Sequence, residues 1–204
     1  MPLRIDYEYI EAHVPEGARV LDLGCGDGTL LEHLVAGRGV EARGIEIDER
    51  AVQECIGRGV PVYHGDMLEG MTTFADGSFD CVILSQTLQQ CLQPARVVEE
   101  MLRVGRKAII SFPNYGHWRV RLQLLLAGRR PRTALLHYSW HDTPNVHLLS
   151  VRDFRGFCAA RGLHVVDSIF FSPSYARLPS FVANLLAGVA VFVIEKRPER
   201  PGRV

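Results

Sequence analysis

Apolar residues come in two alternating patterns along this chain. Short unbroken or alternating runs end at glycines and acids, and between them apolar residues recur at three- and four-residue spacing. The runs predict strands at 20–23, 40–47, 60–63, 79–84 (closing on Ser85), 107–112, 164–171 and 189–195. The helical spacing falls on Ile5, Tyr9 and Ile10 before Pro15, and on Leu30, Leu31, Leu34 and Val35. Asp48 caps a helix through Cys55 that Gly57 or Gly59 ends, Pro94 opens one through Arg103, and Ser150 caps one that Gly162 stops. Strands alternating with helices predict an α/β fold, a seven-stranded mostly parallel sheet with helices on both faces. The connection 172–188 shows no clear helical crossover, so the last two strands are expected to pair antiparallel at an edge.

Composition narrows the class. At 204 residues and 47% apolar, the chain suits one domain over 1–196, with an insert at 113–147 and a flexible Pro/Arg-rich tail at 197–204. Lys+Arg and Asp+Glu both number 23, which argues against nucleic-acid binding by phosphate neutralisation. The longest apolar stretch, Phe181 to Ile194, is interrupted by Asn184 and Gly188, so no membrane span is expected. Cys25, Cys55, Cys81, Cys91 and Cys158 lie mostly within apolar runs and form no C-x-x-C pair. Buried, reduced thiols and a charged amino terminus point to the cytoplasm.

The candidate chemistry starts at Val20-Leu21-Asp22-Leu23-Gly24-Cys25-Gly26-Asp27-Gly28, a strand feeding a glycine turn. A dinucleotide loop reads G-x-G-x-x-G; here the pattern is D-x-G-x-G-x-G, with Thr29 at the third dinucleotide glycine. Asp22 and Asp27 flank the turn and would repel a pyrophosphate. The ammonium and sulfonium of S-adenosylmethionine suit such a loop better than NAD does. Glu46 lies near the end of the second strand, 24 residues after Asp22, where a carboxylate meets ribose hydroxyls. Asp66 follows the third strand and can accept from an exocyclic amine.

Over residues 17–112 these features resemble the class I S-adenosylmethionine-dependent methyltransferase superfamily, with its Rossmann-like sheet. The resemblance implies that Asp22, Gly24, Gly26 and Gly28 line the methionine part of S-adenosylmethionine or S-adenosylhomocysteine, with Cys25 and Ile47 also among the cofactor-binding residues. It implies that Glu46 holds the ribose, that Asp66 and Met67 meet the adenine, and that Ser85 and Gln86 border the cofactor. Further strings are more specific: Ser85-Gln86-Thr87-Leu88-Gln89, Met101-Leu102-Arg103-Val104-Gly105, Ser111-Phe112-Pro113-Asn114-Tyr115-Gly116-His117-Trp118 and Trp140-His141-Asp142-Thr143-Pro144-Asn145-Val146-His147. Across 4–162 they resemble the MetW family of methionine biosynthesis. That likeness implies a partnership with homoserine O-acyltransferase (MetX), and leaves methyl transfer by the chain itself open.

The insert 113–147 is far longer than a usual connection and leaves the carboxyl edge of the sheet, so it is expected to cover the ligand site or to face a partner. It holds His117, His137, His141 and His147, both tryptophans (Trp118 and Trp140), and five arginines between Arg119 and Arg132. His117, Trp118, Arg129, Arg130, Tyr138, Trp140 and His141 are the lid or partner candidates. No metal is expected, since the histidine spacing matches no common site. No catalytic residue stands out: the fourth strand is followed by Ser85-Gln86-Thr87-Leu88, and His117, His141 or Tyr138 could each supply a base. Three functions remain: a cofactor-binding or sensing partner of the acyltransferase, a small-molecule methyltransferase, or a fold that has lost its ligand.

Overall fold

The structure, a computed structural model, describes residues 5–133, 136 and 138–197. The predicted tail from 198 onward and His137 lie outside the described residues. In chain order the elements are α1 (Ile5–His13), β1 (Arg19–Leu23), α2 (Thr29–Arg38), β2 (Glu41–Glu46), α3 (Glu49–Gly57), β3 (Val62–His64) and α4 (Met67–Thr72). Then come β4 (Phe79–Ser85), a 3-10 turn (Leu88–Gln90), α5 (Pro94–Val104), β5 (Gly105–Pro113), α6 (Trp118–Ala127), α7 (Val151–Ala160), β6 (Leu163–Phe171), α8 (Ala183–Leu186) and β7 (Val189–Lys196).

The strands form one sheet in the order β3-β2-β1-β4-β5-β7-β6. β1 to β5 run parallel, while β7 lies antiparallel to both β5 and β6, as the missing helical crossover implies. Period-two alternation sorts the side chains between two cores. Leu21, Leu23, Val82, Leu84, Ile110, Phe112 and Phe192 face α5 and α7. Val20, Cys81, Ile83, Ile109, Val191 and Val193 face α1 and α2. The first core contains an aromatic cluster in which Phe112 stacks on Phe192 at 5.8 Å and Phe154 meets Phe192 at 4.8 Å. Each fully buried large apolar side chain contributes ~1.5–3 kcal/mol, so the two layers together hold the sheet ends in place.

Two local differences from the sequence reading have physical causes. The third strand starts later than predicted: Pro61 has no amide to donate, and only its carbonyl joins the sheet, accepting Gly44 N at 2.9 Å. Helix α4 was not predicted; it is six residues long with Gly70 in its middle, too short to show a period. Its cap is Asp66, whose side chain accepts from Leu68 N and Glu69 N. The Ser150 cap appears as predicted, as a reciprocal capping box with Asp153.

Candidate functional site

The glycine loop after β1 is held by the end of β2. Gly24 N and Cys25 N both donate to Ile45 O, at 2.8 and 3.2 Å. Glu46 is 9% exposed. Its Oε2 accepts Gly26 N at 2.8 Å, and its Oε1 accepts Ile47 N at 2.8 Å and Asp48 N at 3.0 Å. One carboxylate therefore ties the middle of the loop to the turn after β2, and one lone pair of Oε2 remains for a ligand donor.

Two of the loop glycines serve different ends. Gly26, at φ 58°, would point a β-carbon into open space. Gly28, at φ 79°, would place one 2.8 Å from Cys55 Sγ. The first leaves room for a ligand and the second lets the loop pack on α3. Burial pushes the Cys25 and Cys55 thiols up from their ordinary range; their sulfurs lie 3.9 Å apart.

Asp27 departs from the charge reading of the sequence. Its carboxylate accepts Thr29 Oγ1 at 2.6 Å and Arg58 Nη2 at 3.1 Å, while Arg58 also donates to Asp27 O and to Glu32. Partial burial opposes its charge, but Thr29 and Arg58 hold the carboxyl below its ordinary range. Asp27 is a brace for the loop. Asp22 is buried on the α1 and α2 side of β1, 2% exposed.

Beside the loop, at the carboxyl edge, opens a hollow of about 190 Å³ walled by Gly24, Ile45, Glu46, Ile47, Gly65, Asp66, Met67, Thr87 and Gln90. It shares Ile47, Asp66, Met67, Thr87 and Gln90 with a groove of about 580 Å³ that runs on past Cys91, Leu92 and Arg96. The two form one cleft, polar at Glu46 and apolar along Ile47, Met67 and Leu92. The structure thus brings Gly24, Glu46, Ile47, Asp66 and Met67 to one wall, with Gly26 opening toward space at the loop. The sequence reading missed Ile45, Gly65, Thr87 and Gln90 as wall residues. For Ile45, Gly65 and Thr87 the signal was adjacency, since each flanks a singled-out residue at or just past a strand end; Gln90 lies in the 3-10 turn and had no such signal.

Asp66 Oδ1 is already taken by the α4 cap, at 2.8 Å from Leu68 N and 3.3 Å from Glu69 N, which leaves Oδ2 for a ligand amine. Among the described cleft residues no histidine or tyrosine appears. Burial raises the Cys91 thiol to about 11, so it stays protonated near neutrality.

Ser85 and Gln86 turn the other way, into a buried network under α1. Asp6, 3% exposed, accepts from Ser85 Oγ at 3.3 Å and Ser111 Oγ at 3.1 Å. Gln86 sits at φ 59° and donates from N to Ser111 O and Oγ, and from Nε2 to Ser111 Oγ. A glutamine in the left-handed region at the end of β4 is held there by this network.

The insert stands off the cleft: no described residue of 113–147 lines it. Its far end is strapped to the cleft rim, where Val146 N and His147 N both donate to Gln89 O and His147 Nε2 lies 3.0 Å from Cys91 O. Asn114 anchors its near end, donating to the carbonyls of Ala183, Asn184 and Ala187 and accepting from Gly116 N and Val151 N. His117 does not belong to an outer surface. It is 6% exposed, and its Nδ1 caps α6 by accepting Arg119 N at 3.2 Å. That bond commits the lone pair a general base would need. Arg130 is held by Thr143 at 2.8 Å and by Tyr115. Trp118, Tyr138, Trp140, Arg129 and His141 stand at the surface, with Trp140 77% exposed.

A larger hollow of about 790 Å³ opens at the opposite, amino edge, beside Arg19, Glu41 and Phe79, the first residues of β1, β2 and β4. Ligands of open α/β sheets sit at the carboxyl edge, so the Glu46 cleft is the candidate site.

Comparison with known proteins accords with this geometry. The family model for the methionine biosynthesis protein MetW matches residues 4–194. The bifunctional methionine biosynthesis protein MetXA/MetW of Rhodopirellula baltica is 33% identical over 95% of this chain; the match spans only 33% of that protein's length. A ubiquinone biosynthesis O-methyltransferase of Ralstonia nicotianae is 35% identical over 98% of this chain and 84% of its own. Among solved structures, a SAM-dependent methyltransferase of Archaeoglobus fulgidus superposes with a TM-score of 0.67 at 17% identity, covering 93% of this chain and 94% of its own. The sheet is therefore the Rossmann-like class I methyltransferase fold. With the family model matched across nearly the whole chain, the protein belongs to the MetW family of methionine biosynthesis proteins.

Proposed function

We propose that this protein binds S-adenosylmethionine or S-adenosylhomocysteine and acts as an accessory or regulatory partner of homoserine O-acyltransferase (MetX). The observation that carries the partnership is the Rhodopirellula baltica relative, in which MetXA and MetW are one bifunctional protein. The cleft supports the ligand. Gly26 leaves space at the loop, Glu46 keeps a lone pair for a ribose hydroxyl, Ile47 and Met67 offer apolar faces to a purine, and Asp66 keeps Oδ2 for its amine. When bound, S-adenosylmethionine supplies an electrophilic methyl on a sulfonium. The chain's own residues bind and orient; the described cleft residues include no histidine or tyrosine, and the carboxylates of Glu46 and Asp66 are the groups that hold the ligand.

A second reading, methyl transfer to a small molecule, is favoured by the near full-length likeness to the ubiquinone biosynthesis O-methyltransferase. Much of such a displacement can be catalysed by positioning alone. Co-purification of the chain with the acyltransferase from its own cell, together with mass spectrometry for methylated products, separates the two. A stable complex without S-adenosylhomocysteine formation supports the partner reading. Turnover to S-adenosylhomocysteine without a complex overturns it.

A further inference from the structure

Helix α6 buries almost nothing of itself. Only Val120 is buried, against Tyr115 and Leu136. The other apolar side chains face water: Leu125 is 79% exposed, Leu126 75% and Leu124 54%. Leu122 stands four residues after Trp118, and Leu125 and Leu126 stand three and four residues after Leu122, so they form a single outward stripe. A ten-residue helix is marginal in water on its own, and a large exposed apolar stripe on a folded protein marks an interaction site.

Charge says what kind of surface would cover it. Residues 113–141 contain five arginines and no aspartate or glutamate, although the whole chain is balanced at 23 and 23. Arg129, just past the end of the helix, has no ion pair among the described residues. A matching surface is an apolar groove rimmed by acids. A symmetric pairing of two α6 stripes would set this basic segment against its own copy, with like charges facing.

We propose that the outward face of α6, Trp118, Leu122, Leu125 and Leu126 with Arg129 at its end, docks in an acid-rimmed apolar groove on the acyltransferase. This rests on the partner reading above, and it assigns that partnership to one face of the insert. The face lies on a helix that leaves the end of β5 and takes no part in the cleft wall. Docking there leaves the cleft open to its ligand. The strap from Val146 and His147 to Gln89 supplies a physical link from the insert to the cleft rim.

The test compares wild type, the double variant Leu125→Glu/Leu126→Glu and Arg129→Glu, all as full chains. Equilibrium association with the purified acyltransferase is measured alongside S-adenosylhomocysteine affinity and the circular dichroism spectrum. The double variant is expected to bind the acyltransferase at least tenfold more weakly, and Arg129→Glu a few-fold more weakly. Neither change should alter the spectrum or the nucleoside affinity. If wild type and both variants bind the acyltransferase equally, the α6 proposal falls and the partnership stands. If the wild type forms no complex at all, the partner reading itself fails and takes the α6 proposal with it. A wild type that dimerises through these residues, or that binds phosphatidylglycerol vesicles through them in place of the acyltransferase, also overturns the proposal.

Discussion

The carboxylate of Glu46 accepts the amide of Gly26 at 2.8 Å, a contact between the end of β2 and the middle of the glycine loop. With Ile47 N and Asp48 N on its other oxygen, Glu46 orders the loop before any ligand arrives. Glu46→Ala should therefore do two things. It leaves three backbone amides without their acceptor, costing about 2–3 kcal/mol of stability, and it removes the ribose contact. Chemical denaturation and calorimetric titration with S-adenosylhomocysteine check both. An unchanged stability would mean that the loop is held elsewhere.

Gly26 and Gly28 should separate under substitution. Gly26→Ala meets only the left-handed backbone cost, about 1–2 kcal/mol, but places a methyl in the space open to the ligand. Gly28→Ala adds to that cost a clash with Cys55 Sγ. The expectation is a stable Gly26→Ala protein with weak nucleoside binding, and a Gly28→Ala protein that loses stability first. Melting curves with and without ligand distinguish them, and the reverse order would remove Gly26 from the site.

His117 gives the insert a pH dependence. Burial first, and the charge of Arg119 second, hold its imidazole below the ordinary range. The unfolded chain takes the proton near pH ~6.5, and the folded chain resists it until lower pH. Stability from this group is therefore full above about pH 6.5 and is lost as pH falls through the lowered folded value. Protonation would also break the cap, since a charged ring cannot accept Arg119 N. His117→Asn can cap without titrating, so the acid-side loss measured for wild type should shrink in the variant. Identical pH profiles would contradict the assignment.

Asn114 ties the end of β5 to α7 and α8 through five hydrogen bonds. Its replacement by alanine leaves buried carbonyls and amides unpaired and should cost about 3 kcal/mol or more. Urea unfolding measures this. A loss below about 1 kcal/mol would show that water replaces the side chain.

The sequence made the sheet legible because its side-chain period is strict. Val20 and Leu21 part to opposite cores, as do Ile109 and Ile110. That the glycine loop and Glu46 meet was legible because both fall at the carboxyl ends of strands, and β1 and β2 lie side by side in parallel. Four things were not legible. Asp27 takes its partner Arg58 from 31 residues away, which no local pattern announces. Asp66 looked free because α4 is too short to show in periodicity, although Asp66 followed by Glu69 is a capping spacing. Asp6 lies 105 residues from Ser111, and no local pattern announces that they meet. His117 stood among surface candidates because burial inside an irregular insert leaves no period to read.

We propose that this chain acts on a homoserine O-acyltransferase and that its cleft carries the nucleoside signal. The most direct measurement is the acyltransferase rate as the purified chain is titrated in, with and without saturating S-adenosylmethionine. The rate is expected to change as the chain saturates the enzyme, and the midpoint to shift when the cleft is filled. Linkage requires an equal shift of nucleoside affinity when the acyltransferase is present. A rate that is unaffected by the chain at every concentration, with and without the nucleoside, would contradict the account.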